Sequence, residues 1–245
     1  MEQIMIPAII HQTAKSALSW EENQLCRRMR RMLPGWQYRL WNDHENESLI
    51  ASHFPHHLAS YRSIRKGVVR ADIARYAYLA VHGGFYFDTD YKLLRPIGED
   101  MRRNACVLGI EEHPYTKTDA EGRETHLGLK LGNAGMGSAP GYPLWKDFID
   151  HIFSQSALDN LTEDEIVPRT GPRGLSNFYL GNRERYPEVQ PYPQRVFYPV
   201  LRYGNLWQDS DATTIGVHLS WGSWRNKSGT LRMRNFLRRK LTPLY

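Results

Sequence analysis

Gly67-Val68-Val69-Arg70-Ala71-Asp72-Ile73-Ala74-Arg75-Tyr76-Ala77-Tyr78-Leu79-Ala80-Val81-His82-Gly83-Gly84-Phe85-Tyr86-Phe87-Asp88-Thr89-Asp90 is the stretch whose reading decides the fold. Its first part spreads Val68, Val69, Ile73, Ala74, Tyr76, Ala77 and Leu79 over a broad apolar face, which predicts a helix from Gly67 to Val81. Gly83-Gly84 stops that helix and permits a tight turn into a strand. Phe85-Tyr86-Phe87 then predicts a short buried strand running straight into Asp88-Thr89-Asp90. Residues two apart in extended chain face the same way, so both carboxylates converge just past the strand's end. In open α/β sheets that end is where ligands bind. Paired hard oxygens there suit Mn²⁺ or Mg²⁺, which take phosphate oxygens as further ligands.

The triplet alone is a weak signal, because roughly one Asp-x-Asp arises by chance in a chain this long. Asp209-Ser210-Asp211 is a second match, but it follows no apolar run and reads as a solvated loop. What singles out the first copy is the buried strand before it. Upstream, Asp72 and Arg75 stand three apart and share a helix face, so an ion pair is the simple reading. The helix around them is mostly apolar, so these charges border buried ground and must be paired or meet a ligand.

Outward from this centre, Ile4 to Ile10 predicts a first strand ending at His11-Gln12-Thr13, and Gln37 to Trp41 a second. Glu21 to Leu33 between them has helical composition. Val107 to Ile110 predicts a further strand and Thr213 to Leu219 a final one. Leu144 to Phe153, and a segment near Leu175 to Leu180, read as helices. Glu111 to Gly141 is polar and glycine-rich, an active-site loop region or an inserted hairpin. Alternating strands and helices predict an α/β class with a mixed, mostly parallel central sheet. We expect one domain over residues 1–230 and a basic amphipathic helix over 231–245.

Of 245 residues, 41% are hydrophobic, enough to fill a packed core and to exclude wholesale disorder. The net charge of +6 suits phosphate-bearing partners, and part of it sits in the terminal run Leu231 to Leu241. That run also suits an anionic bilayer surface. Cys26 and Cys106 form neither a disulfide framework nor a metal knuckle. No secretory leader, membrane span or nucleic-acid motif is legible, so the expectation is a cytoplasmic protein, peripheral at the inner face of the membrane.

The run from Arg70 to Asp90 resembles the sugar-binding region of DXD-type glycosyltransferases. It is most similar to family thirty-two, the group of yeast α-1,6-mannosyltransferases and bacterial capsular-polysaccharide enzymes, and more distantly to the clostridial glucosylating toxins. Ile6 to Thr13, Tyr38 to Asp43, Asn133 to Ser138, Thr170-Gly171-Pro172 and His218 to Trp224 resemble further blocks of that family. The resemblance implies a GT-A fold, Rossmann-like, and hexose transfer from a UDP- or GDP-linked donor with retention of configuration. It implies that Asp88 and Asp90 are catalytic through Mn²⁺ (or Mg²⁺), with His218 as a third metal ligand. It implies donor contacts from His11, Gln12, Asp72, Arg75, Tyr86 and Asn133, and from the indoles of Trp221 and Trp224. The acceptor is expected to be a glycan, glycolipid or polysaccharide. A protein acceptor, or a metal-dependent phosphohydrolase acting on nucleotide sugars, stays open at this point.

Overall fold

The computed structural model describes residues 5–15, 17–118, 124–200 and 210–221. Trp224 and the predicted terminal helix lie outside the described residues. The N-terminal half runs β1 (Ile9–Thr13), α1 (Trp20–Met32), β2 (Gln37–Trp41), α2 (Asp43–His53), α3 (Leu58–Ser63), α4 (Gly67–His82), β3 (Gly84–Phe87) and β4 (Tyr91–Leu93). The remainder runs α5 (Glu99–Arg102), β5 (Cys106–Glu112), β6 (Tyr115–Thr118), β7 (Glu124–Leu127), β8 (Lys130–Ser138), α6 (Pro143–Ser154), α7 (Glu163–Arg169), α8 (Pro172–Gly181), β9 (Val189–Tyr192), α9 (Gln194–Phe197) and β10 (Gly216–His218). Among the described residues, no helix is long and apolar enough to cross a membrane.

The central sheet has the order β2-β1-β3-β8-β5-β9. Parallel pairing joins β1 to β2, β1 to β3 and β5 to β9, while β8 is antiparallel to both of its neighbours. The sheet is thus mixed and mostly parallel, as the alternating pattern predicts. Alternation along β3 divides the core. Phe85 and Phe87 pack with Ile10, Met29 and Phe197 on one face, while Tyr86 packs with Ile73, Trp145 and Phe148 on the other. Fully burying an aromatic or large aliphatic side chain contributes about 1.5–3 kcal/mol, so these two layers hold β3 in the middle of the sheet.

Two predicted segments differ from what forms. The first strand begins at Ile9 rather than Ile4, because its pairing partners on β2 and β3 lie opposite Ile9 to Thr13. The glycine-rich region holds an inserted hairpin, one of its two expected forms, and more besides. It contains the β6–β7 hairpin and then β8, a central strand. Close approach requires glycine at Gly137, where a Cβ would lie 2.4 Å from the Phe85 ring, and leaves little room at Gly135, where one would lie 3.2 Å from the Phe87 ring. The volume expected from β-branched residues in β8 is supplied by aromatic rings of its neighbour.

The α4-to-β3 turn forms as predicted. Gly83 and Gly84 have φ of 63° and 89°, in the left-handed region. A Cβ on Gly84 would also lie 2.7 Å from the Ile9 carbonyl oxygen. A separate two-stranded ribbon pairs β4 with β10 antiparallel, setting His218 opposite Tyr91.

Candidate metal and donor site

Asp88 leaves the sheet directly after β3. Its backbone N–H donates to the Ala134 carbonyl at 2.9 Å and its own carbonyl accepts from Tyr91 N–H at 3.0 Å, so Asp88 to Tyr91 forms a tight turn into β4. Both acids therefore emerge at one rim of the sheet. The β4–β10 ribbon carries His218 to the same place. His218 Nε2 lies 3.2 Å from Asp90 Oδ1 and 3.6 Å from Asp88 Oδ2. One ligand atom from each of Asp88, Asp90 and His218 fits within a span of 4.8 Å. Their side chains retain 23%, 14% and 19% exposure, so the cluster faces outward.

Asp90 and His218 fix each other's charge. Burial opposes a charge on His218, but the Asp90 carboxylate overrides it and raises the imidazole to about 9. Burial likewise works against ionisation of Asp90, yet His218 and the Trp221 N–H hold its carboxyl below the ordinary range. Two carboxylates and an imidazole form a donor set suited to a divalent cation.

Behind the triad lies a buried layer that orients Asp88. The Tyr86 hydroxyl donates to Asp88 Oδ1 at 2.6 Å, and Arg75 Nη1 approaches the same oxygen at 3.1 Å. The Arg75 guanidinium lies 4.7 Å over the Tyr86 ring. Its other end pairs with Asp72 at 3.1 Å, and Arg75 Nη1 donates to the Asn133 carbonyl at 2.9 Å. Asp72 in turn accepts from Asn133 Nδ2 at 3.1 Å and from the Thr170 hydroxyl at 2.9 Å. Burial pushes the Asp72 carboxyl up, against the pull of Arg75 and Thr170. Thr170 is the member of this layer that the site prediction lacked; only its place in a family-like block pointed to it.

Several residues expected to touch the donor are therefore turned inward. Asp72, Arg75, Tyr86 and Asn133 are all buried and spend their polar atoms on one another and on Asp88. His11 is fully buried: Nε2–H donates to the Gly83 carbonyl at 2.9 Å and Nδ1 accepts from the Trp41 indole at 3.1 Å. Gln12, also fully buried, donates to the Asp88 carbonyl at 3.0 Å and accepts from the Tyr38 hydroxyl at 2.5 Å. In this structure both act as struts under the aspartate turn. The Trp221 ring packs with Leu25, Val217 and Leu219, and it is the backbone N–H of Trp221 that meets Asp90, at 2.7 Å.

Helix α1 braces the turn from the other side. Ser19 caps it in a box with Glu22, and Glu22 Oε1 accepts from the Thr89 hydroxyl at 2.9 Å. Arg28, further along the helix, donates to the Leu93 carbonyl at 2.7 Å. The Ser-x-x-Glu spacing announces the cap in the sequence, but nothing local announces the tether to Thr89. A cleft of about 360 Å³ between the end of α1 and β2, lined by Arg30, Leu33, Trp36 and Tyr38, lies apart from the triad.

Known proteins resemble this arrangement. Residues 19–108 match the family described as "Glycosyltransferase sugar-binding region containing DXD motif". Inositol phosphoceramide mannosyltransferase 3 of Schizosaccharomyces pombe is 25% identical over 226 residues, covering 84% of this chain and 57% of the relative. Mannosyl phosphorylinositol ceramide synthase SUR1 of Saccharomyces cerevisiae is 33% identical over 176 residues, covering 70% of this chain and 41% of the relative. The chain thus spans about half the length of the curated relatives it matches. The ligand-free glycosyltransferase domain from the YGT toxin shares the fold at a TM-score of 0.56 and 9% identity, covering 77% of this chain and 80% of that one. The PaToxG glycosyltransferase does so at 0.52 and 14%, covering 73% and 70%. The fold is GT-A. With its motif at the rim where that fold places ligands, the segment 19–108 carries the sugar-binding region of the DXD-motif glycosyltransferases.

Proposed function

We propose that this chain moves a hexose from a nucleoside-diphosphate sugar to a glycan or glycolipid hydroxyl, with retention of configuration, using a divalent cation held by Asp88, Asp90 and His218. The observation that carries the reading is the convergence of those three ligand atoms within 4.8 Å at the rim of the sheet. The carboxylates suit Mn²⁺ and Mg²⁺ alike, and the imidazole nitrogen favours Mn²⁺ of the two. When bound, the cation supplies Lewis-acid stabilisation of the leaving diphosphate. The chain's own residues fix the geometry. Tyr86 and Arg75 orient Asp88, Trp221 N–H orients Asp90, and His218, once deprotonated, would hold the cation with them. The sugar–diphosphate C–O bond breaks, the acceptor oxygen bonds to the same carbon, and the acceptor's proton passes to the leaving phosphate oxygen.

The relatives are named as mannosyltransferases of inositol phosphoceramide. Mannose is accordingly the first hexose we assign and a phosphoinositol glycolipid the first acceptor class. A lipid acceptor would set the site at a membrane surface. The test is a screen of GDP- and UDP-hexoses with Mn²⁺, following nucleotide release with and without such lipids. Acceptor-dependent release that chelation abolishes supports the reading. Release at the same rate without acceptor, or in the presence of chelator, overturns it.

A further inference from the structure

Apart from the acidic turn, a second group of ligating side chains converges, and the catalytic reading leaves it unused. His56 and His57 occupy the single helical turn Pro55–His57 between α2 and α3, and Asp150 lies on α6. His57 Nε2 lies 2.7 Å from Asp150 Oδ1, and His56 Nε2 lies 3.6 Å from the same oxygen. All three ligand atoms fall within 4.8 Å of one another. The His57 ring is held in place by stacking on Phe153 at 4.3 Å, and the His56 ring leans on it at 4.0 Å. Lys146 takes the other carboxylate oxygen at 2.6 Å, which leaves Oδ1 pointing at the imidazoles.

We propose that His56, His57 and Asp150 form a binding site for a transition-metal dication of the zinc class, separate from the acidic cluster. Tetrahedral zinc bonds of about 2.0–2.2 Å separate neighbouring ligand atoms by roughly 3.4 Å. The observed 2.7 and 3.6 Å straddle that spacing, so small side-chain rotations admit the ion. His56 is 57% exposed and free to make its share of the movement. Two imidazoles with one carboxylate favour Zn²⁺ over the oxygen-seeking Mn²⁺ or Mg²⁺, the reverse of the preference at Asp88 and Asp90. Three protein ligands leave a fourth position for water or an outside group. The ion would staple the turn after α2 to α6, and so raise stability by mass action.

Zinc chloride titrated into the full chain against a chromophoric chelator tests this. The Asp90→Asn variant, which weakens the other cluster, is expected to keep one equivalent of Zn²⁺. Adding His56→Ala or Asp150→Asn is expected to weaken that equivalent at least about tenfold, since even an outer-shell partner commonly costs 10–100-fold. His56 is exposed, so its replacement leaves the fold intact. Zinc binding unchanged by both substitutions, or lost entirely in Asp90→Asn alone, overturns the proposal.

Discussion

The backbone N–H of Trp221 donates to Oδ2 of Asp90 at 2.7 Å, joining the loop after the last described strand to the second acid of the motif. Asp90 Oδ1 is thereby left facing His218 Nε2. One oxygen is fixed by the protein and the other is presented for ligation. Asp90→Asn keeps the shape but removes the charge that binds a cation. Transfer should fall at least about a hundredfold, on the order of 3 kcal/mol, while the chain stays folded, with some stability lost because His218 loses its partner. Nucleotide release under saturating Mn²⁺ measures it, and undiminished turnover would remove Asp90 from the site.

Arg75 is the buried cation shared by Asp72 and Asp88. Breaking a buried pair by removing one partner costs about 3–5 kcal/mol, because the remaining charge is left uncompensated. Arg75→Met should lower stability by that order in urea unfolding. Adding Asp72→Asn should recover part of the loss, since it neutralises the stranded carboxylate. A loss under about 1 kcal/mol would mean that Asp72 needs no counter-charge.

His11 gives a pH signature. Burial pushes its imidazole down to about 3, and both ring nitrogens are committed to a neutral tautomer by Gly83 and Trp41. An unfolded histidine titrates near 6.5. Between those values the unfolded chain binds the extra proton, so this contribution to stability is present above about 6.5 and is lost as the pH falls towards 3. From pH 7 to pH 5, wild type should lose roughly 2 kcal/mol more than His11→Gln. Parallel stability–pH curves for the two proteins would sink the assignment.

Glu22 serves two partners at once, the α1 cap and Thr89 between the two acids. Glu22→Ala and Thr89→Val should each raise the Mn²⁺ concentration needed for half-maximal transfer several-fold. Combined, they should do little more than either alone, because they cut the same contact. Ser19→Ala removes the cap without touching Thr89, and should cost about 1 kcal/mol of stability with no change in the Mn²⁺ requirement. A Mn²⁺ requirement that moves equally in all three would make the effect one of helix stability only.

What the sequence by itself determined is local. Apolar spacing marks α4, the glycine pair marks its stop, and three aromatics mark the strand that presents Asp88 and Asp90, because each depends on neighbours within a few residues. The charged pair Asp72–Arg75 was legible for the same reason. Strand β8 was not, because its glycines make sense only against the rings of Phe85 and Phe87 on an adjacent strand. The family resemblance pointed to His218 beside the two acids; tertiary structure alone decided that Thr170 holds Asp72 and that His11 and Gln12 sit beneath the turn rather than in the open. Those outcomes depend on how layers pack across about a hundred residues of chain, or on which face of a strand is covered, and no local pattern encodes either.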